Sequence, residues 1–169
     1  MGTLTPVGAV VRGAVAGAAG TAAMDTLLFS RYRRSGGESS FPDWEFSSGL
    51  TTWKDAPAPA HVGKRLVEGV LDRSLPAKRA ALVNNVTHWG YGVLAGVHYA
   101  ILAGSQMRRR VRWGLPFGAT VWASGYVVLP VAKLYEPIWR YDRKTLARDL
   151  SAHLVYGLGT AGVLRLLAR

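Results

Sequence analysis

Four apolar stretches dominate the sequence, and each is long enough for a helix to cross a lipid bilayer. They cover residues 7–29, 80–104, 111–132 and 150–168. At 1.5 Å per residue, about 20 helical residues span a hydrocarbon core of about 30 Å. Backbone polar groups in lipid must be hydrogen-bonded within the protein, so such stretches fold as helices. The sequence therefore predicts one all-α transmembrane domain over residues 1–169, an integral membrane four-helix bundle.

The first stretch has an alternative interpretation as a cleaved signal peptide. Small residues over positions 14–23 favour that interpretation. The uncharged residues before Arg12, and Arg12 itself within the apolar part, oppose it. We therefore expect this stretch to be the first membrane span.

A polar connection over residues 30–79 separates the first two spans, and part of it has helical periodicity. Val62, Leu66 and Val70 recur at helical spacing, while charged residues occupy the other faces. This pattern predicts an amphipathic helix over residues 60–75, which lies on the membrane or caps the bundle.

The charge distribution favours a membrane over a nucleic acid as the partner. The chain carries a formal net charge of +11, and its basic residues cluster beside the apolar stretches, as is typical where helices meet anionic headgroups. We predict the lipid bilayer as partner, together with other membrane proteins or further copies of this chain, and no nucleic acid. The chain has no cysteine, which excludes disulfides and thiolate metal sites.

Orientation depends on the very short turn between the second and third spans. This turn contains Arg108, Arg109 and Arg110, and Arg112 follows it. Arginines in so short a turn are difficult to translocate, so we expect the turn and both termini in the cytoplasm. The other two loops hold more Lys and Arg in total, which favours the opposite orientation.

Polar residues inside the spans point to one buried cluster. The second span has Asn84, His88 and His98 on one helical stripe, and the last span has Asp149 and His153 on another. Both stripes should face other helices, because unpaired polar groups in lipid are costly. The spans alternate in direction, so the end of the first span lies at the same membrane face as the starts of the second and fourth.

The positions of these residues along their spans predict their depth. Asp25, Asn84 and His153 should lie about 4–6 Å deep and His88 about 12 Å deep, in one half of the bilayer. The predicted polar cluster therefore contains Asp25, Asn84, His88, Asp149 and His153. His98 falls in the opposite half.

Three interpretations of this cluster are open. The first is a structural polar clamp, in which carboxylate, imidazole and amide groups satisfy one another. The second is a proton or ion relay, because imidazole titrates near neutral pH. The third is a metal site formed by His88, His153 and Asp25, although no metal-binding spacing such as HExxH is present.

The sequence contains no recognisable catalytic motif. It has no GxSxG elbow and no phosphate-binding loop. We therefore predict a non-catalytic membrane protein with no cofactor, acting as an accessory protein or handling protons or small solutes. A membrane metal-binding protein or enzyme that uses the His/Asp cluster is the alternative.

Two segments carry a resemblance to a known family. Residues 87–99 (THWGYGVLAGVHY) and 149–156 (DLSAHLVY) resemble the YagU-like family of small bacterial inner-membrane proteins, whose biochemical function is not established. The likeness extends to the layout of most of the chain: a glycine-rich first helix, a long loop, a histidine-bearing second helix and a basic tight turn. It implies four membrane helices and a multi-pass protein of the bacterial inner (cytoplasmic) membrane, and it implies no activity.

Overall fold

The computed structural model describes residues 5–105 and 111–168, and these residues are helical, without a strand. They form six α-helices, joined by turns and three short 3₁₀ segments: α1 (Pro6–Arg34), α2 (Phe41–Glu45), α3 (Ala58–Leu71), α4 (Ala80–Ser105), α5 (Gly114–Val131) and α6 (Arg143–Leu167). The all-helical prediction is confirmed. The predicted arginine-rich turn, with Arg108, Arg109 and Arg110, lies outside the described residues.

Three helical segments are long and apolar enough to cross a membrane: Pro6–Arg34, Val111–Val131 and Arg143–Leu167. They correspond to the first, third and fourth predicted spans. The second, α4, has 26 residues but is not among the three. Its polar residues, with Asn84 and His88 in its first half, lower its mean hydropathy.

Two helices extend beyond the predicted spans at the polar face of the bundle. α1 continues to Arg34 rather than residue 29, and α6 begins at Arg143 rather than residue 150. Asp142 caps α6, because its carboxylate accepts the backbone N–H groups of Lys144 and Thr145. Hydropathy alone misses such polar helix ends. Asp25 and His153 consequently lie further from the ends of their helices than the predicted spans placed them.

α1 packs between α4 and α6 through glycines. A Cβ atom at Gly13 would approach the Val97 Cα to 2.7 Å, and one at Gly17 would approach the Gly92 carbonyl oxygen to 2.5 Å. Gly20 meets the Tyr156 backbone of α6 in the same way. The glycine spacing in the first span thus marks a close-packing face, as is common between membrane helices.

α5 completes the bundle on the far side of α6. Gly114 and Gly118 of α5 face the backbone of α6 at Gly157 and His153. The helices therefore follow one another in the order α4, α1, α6, α5. The Tyr156 hydroxyl of α6 also donates to the Gly92 carbonyl of α4 at 2.7 Å, which links these two helices beside α1.

The bundle has an apolar half and a polar half. The core cluster lies toward the start of α1 and the ends of α4 and α6, and it contains Ala16, Tyr99, Ala100, Ala103, Ala161 and Leu164. The polar side chains of the predicted cluster lie in the opposite half, where α2 and α3 cover the bundle.

α2 and α3 cover the polar half in different ways. α2 is held by an aromatic cluster formed by Phe29, Tyr32, Phe41 and Trp44. α3 overlaps the predicted amphipathic segment, beginning at Ala58 rather than residue 60 and ending at Leu71 rather than residue 75. It buries its small residues, including Gly63, which faces the Thr87 and Val83 side chains of α4.

The large apolar residues toward the end of α3 are exposed, whereas Val62 of the same stripe is half-buried. Leu66 is 63% exposed and Val70 is 79% exposed, and Leu71 beside them is also exposed. This later part of the apolar stripe therefore faces away from the other helices. Of the two predicted locations for this stripe, the membrane surface is the one that would bury these residues.

Candidate functional site

A carboxylate–imidazole pair joins α1 to α4. The His88 Nε2 atom lies 3.0 Å from both carboxylate oxygens of Asp25, so the ring N–H donates to that carboxylate. Asp25 is only 3% exposed. The close glycine contact between the two helices, one to two turns away at Gly17 and Gly92, brings the helix backbones near enough for this direct bond.

A third ionisable residue, Glu45 of α2, completes this site, and sequence reasoning missed it. Glu45 is buried and accepts a hydrogen bond from Trp89 Nε1 at 2.9 Å. Burial and the adjacent Asp25 carboxylate raise the pKa of Glu45, while the Trp89 bond and His88 oppose the shift.

The geometry of Glu45 suits a protonated carboxyl group. Its Oε2 atom is buried and has no hydrogen-bond partner among the described residues. A proton on Glu45 would let it donate to Asp25 and remove the repulsion between two buried carboxylates. The one sequence signal for this role is a glutamate within the aromatic run Phe41-Pro-Asp-Trp-Glu-Phe46.

Asn84 lies in the same half but contacts the loop after α2 rather than the histidines. Its Nδ2 donates to Ser47 Oγ at 3.2 Å, and its buried Oδ1 has no partner among the described residues. The neighbouring Asn85 donates to the Phe46 carbonyl at 2.9 Å. These two amides hold the segment that carries Glu45 against α4.

His153 and Asp149 form a second, separate pair within α6. The His153 Nδ1 atom lies 3.0 Å from the Asp149 carbonyl and 3.3 Å from its carboxylate. The Tyr126 hydroxyl of α5 donates to the other carboxylate oxygen at 3.0 Å. The histidines on the predicted stripes of α4 and α6 therefore pair with different carboxylates, and the two stripes do not bond to each other.

The predicted stripe of α4 does not face the other helices over its full length. His98 is exposed and its Nδ1 bonds to the Leu94 carbonyl one turn earlier, within α4 itself. Tyr91 is 52% exposed and its hydroxyl bonds to Ser124 of α5 at 3.2 Å. The expectation that His98 faces a helix is wrong, because the glycine face of α4 takes the contact with α1.

A cavity of about 380 Å³ lies between the long helices, and both imidazoles contribute to its wall. Most of the wall is apolar, and α3 contributes Ala58, Pro59 and Val62. The polar side chains that line it are Thr21, Thr87, His88, Tyr91, Ser124, Tyr126, Tyr135, Asp149, His153 and Tyr156. An apolar cavity with a few convergent polar groups is the usual form of a small-molecule site.

A second, more polar pocket of about 590 Å³ adjoins the cavity at the polar end of the bundle. Its wall includes Arg31, Arg148 and a set of aromatic residues. Four residues line both spaces: Leu28, Tyr126, Tyr135 and Asp149. Burial, followed by the nearby Asp149 carboxylate, raises the pKa of Tyr135 above its usual range.

The predicted metal set is not brought together as one site. Asp25 pairs with His88, whereas His153 bonds within α6. Within residues 5–105 and 111–168, no three His, Asp or Glu side chains form a group that could hold a metal ion.

Comparisons with known proteins add no assignment. No protein-family model matches the chain, and neither a curated protein nor a solved structure matches it. The resemblance to the YagU-like family therefore stays a prediction.

Proposed function

We propose that the chain is a multi-pass membrane protein in which α4 is the fourth span, as in the bacterial inner-membrane family it resembles. The polar groups of α4 support this proposal because they have partners inside the protein. His88 bonds to Asp25, Trp89 to Glu45 and Asn84 to Ser47. A helix whose polar groups are paired in this way can cross a bilayer despite its low mean hydropathy.

We infer that the protein acts without catalysis and binds a small, largely apolar solute in the cavity of about 380 Å³. The observation that carries this proposal is that the two histidine–carboxylate pairs meet the same apolar cavity from different helices. A purely structural clamp needs no such space beside it. For the metal-binding role, one of the alternatives from the sequence, no group of three His, Asp or Glu side chains is present among the described residues.

The arrangement also supports proton handling at the cavity wall. His88 lines the cavity and bonds to Asp25, which in turn lies beside Glu45. These three groups form a series from the cavity to α2, and each can hold a proton. A proton on His88 would offset the buried Asp25 charge, and a proton on Glu45 would remove the charge of Glu45 itself, so solute binding at the wall can be coupled to protonation.

A cavity-filling variant tests the binding proposal. Gly125 lines the cavity, and the nearest atom to a Cβ added there is Leu129 Cδ1 at 4.0 Å, so Gly125→Phe fills space without a backbone clash. Gly90→Phe is the matched control, because a Cβ at Gly90 meets nothing within 4 Å and this residue does not line the cavity.

The probe is N-phenyl-1-naphthylamine, an uncharged apolar fluorophore that accepts energy from tryptophan. With protein in nanodiscs, we expect saturable energy transfer in the parent and in Gly90→Phe, and none in Gly125→Phe. Gel filtration and circular dichroism establish that both variants are folded. Equal saturable transfer in all three proteins, or none in any, would contradict the proposal.

A further inference from the structure

The second pocket carries two guanidinium groups that have no carboxylate partner. Arg31 donates to the Arg148 carbonyl at 2.8 Å and to Ser151 Oγ at 2.9 Å, and both acceptors are neutral. The Arg148 side chain makes no hydrogen bond or ion pair with any residue that the structure describes. Two positive charges therefore face this pocket without an ion pair to any carboxylate in the described part of the chain.

The one carboxylate in the pocket wall is already engaged. Asp149 is bonded by the Tyr126 hydroxyl at 3.0 Å and lies 3.3 Å from His153 Nδ1. Its oxygens thus point to α5 and to its own helix, and no ion pair joins it to Arg31 or Arg148 among the described residues. An anion in the pocket would meet arginines rather than a free carboxylate.

The pocket and the cavity adjoin each other, with arginines at one end of the combined space and mostly apolar residues at the other. Their shared residues, Leu28, Tyr126, Tyr135 and Asp149, form the junction. The arginine end lies at the end of α1 and the start of α6, where a membrane helix meets the headgroup region. The apolar end lies between the middles of the helices. A molecule that fits this space has a charged head and an apolar tail.

We propose that the cavity and the pocket together bind an amphiphile with an anionic head, held by Arg31 and Arg148, and an apolar tail that fills the cavity. The proposal rests on the cavity being a binding site, as argued above. The planar guanidinium presents paired N–H donors that match the geometry of phosphate and carboxylate oxygens. The head can belong to a phospholipid or to a free fatty acid, since both supply this chemistry.

The test compares three single-chain probes that share the same dibrominated tail. They are a lysophosphatidylglycerol, a fatty acid and a monoacylglycerol, which carry a phosphate, a carboxylate and a neutral head. Bromine quenches nearby tryptophan, and Trp122 lines the cavity. The quenching lost on Trp122→Phe reports tail binding at this site.

Arg148→Gln is the main variant, because removing its side chain breaks no bond within the described part of the protein. Arg31→Gln is the second variant. Arg143→Gln and Arg33→Gln are matched controls, since they remove the same charge from the same two helices but do not line the pocket. We expect Arg148→Gln to weaken binding of at least one anionic probe about tenfold or more, with the neutral probe and both controls unchanged.

The outcomes distinguish the anionic-head proposal from the cavity-binding proposal on which it rests. Tight binding of the phosphate probe alone identifies a phospholipid, and tight binding of the carboxylate probe alone identifies a fatty acid. Equal binding of all three probes, insensitive to Arg148→Gln, would overturn the anionic-head proposal and leave the cavity proposal intact. Absence of saturable Trp122 quenching by any probe would overturn both.

Discussion

Substitution of Gly17 by alanine should separate α1 from α4 and destabilise the protein. A Cβ atom at this position would lie 2.5 Å from the Gly92 carbonyl oxygen and 3.0 Å from the Cα atoms of Val93 and Gly96. Ordinary contact begins at 3.4 Å, so the carbonyl is closer by 0.9 Å than the new methyl group allows. All three neighbours are backbone atoms, which cannot move aside without moving the helix.

The magnitude follows from two opposing effects. Forcing extra volume into a packed interface costs about 1–3 kcal/mol. Replacing glycine by alanine within a helix gains up to about 1 kcal/mol in helix propensity. The comparison with Gly90→Ala isolates the first effect, because a Cβ at Gly90 meets nothing within 4 Å and gains the same propensity. We expect Gly17→Ala to be less stable than Gly90→Ala by about 1–3 kcal/mol.

Reversible unfolding in mixed micelles, followed by far-ultraviolet circular dichroism, measures this difference. The separation should also lengthen the bond between Asp25 and His88, which is 3.0 Å in the parent and lies one to two turns from the glycine contact. If Gly17→Ala were as stable as Gly90→Ala, the close approach of α1 and α4 would be incorrect. The proposed polar site would then lose its geometric basis.

Three further predictions concern the polar half. His88→Ala should lower the yield of folded protein, because interhelical polar contacts in membranes are worth about 0.6–2 kcal/mol and Asp25 loses its partner. A normal yield together with a lost pH-dependent signal would favour the proton-relay interpretation instead. The pKa of Glu45 is raised from its usual value of 4.5. Docking of α2 should therefore be strongest below pH 4.5 and should weaken as the pH rises through the raised pKa. Proteolysis of residues 35–57 should increase accordingly, whereas Glu45→Gln should be protected at every pH. Replacing Leu66 and Val70 with aspartate should expose α3 to protease in vesicles, since both lie on its outward apolar stripe; unchanged protection would contradict a membrane location for this stripe.

The helices and the pairing of Asp25 with His88 follow from local sequence patterns. Apolar length gives the helices, and glycines at intervals of four give the face of α1 that meets α4. Counting residues from the predicted span ends is enough to place Asp25 and His88 in the same half of the bilayer. These features depend on periodicity, which a single sequence contains.

Glu45 could not be found in this way. Its burial depends on the docking of a five-residue helix through aromatic contacts between Phe29, Trp44 and their neighbours, and the loop that carries it shows no periodicity. The outward position of His98 was also missed, because a stripe of polar residues does not show which face of the helix packs through its glycines. The polar ends of α1 and α6 were missed since hydropathy falls before the helix ends.

The central position of α1 has a consequence for how the protein enters a membrane. Ribosomes synthesise α1 before α4, and α1 carries the carboxylate that satisfies His88 of α4. α4 is the long helix that is not among the three candidate membrane spans. On the four-span proposal, α4 would insert by docking onto an α1 that is already in the bilayer, instead of partitioning alone. Deletion of α1 would then leave α4 at the membrane surface without inserting, although the sequence of α4 itself is intact.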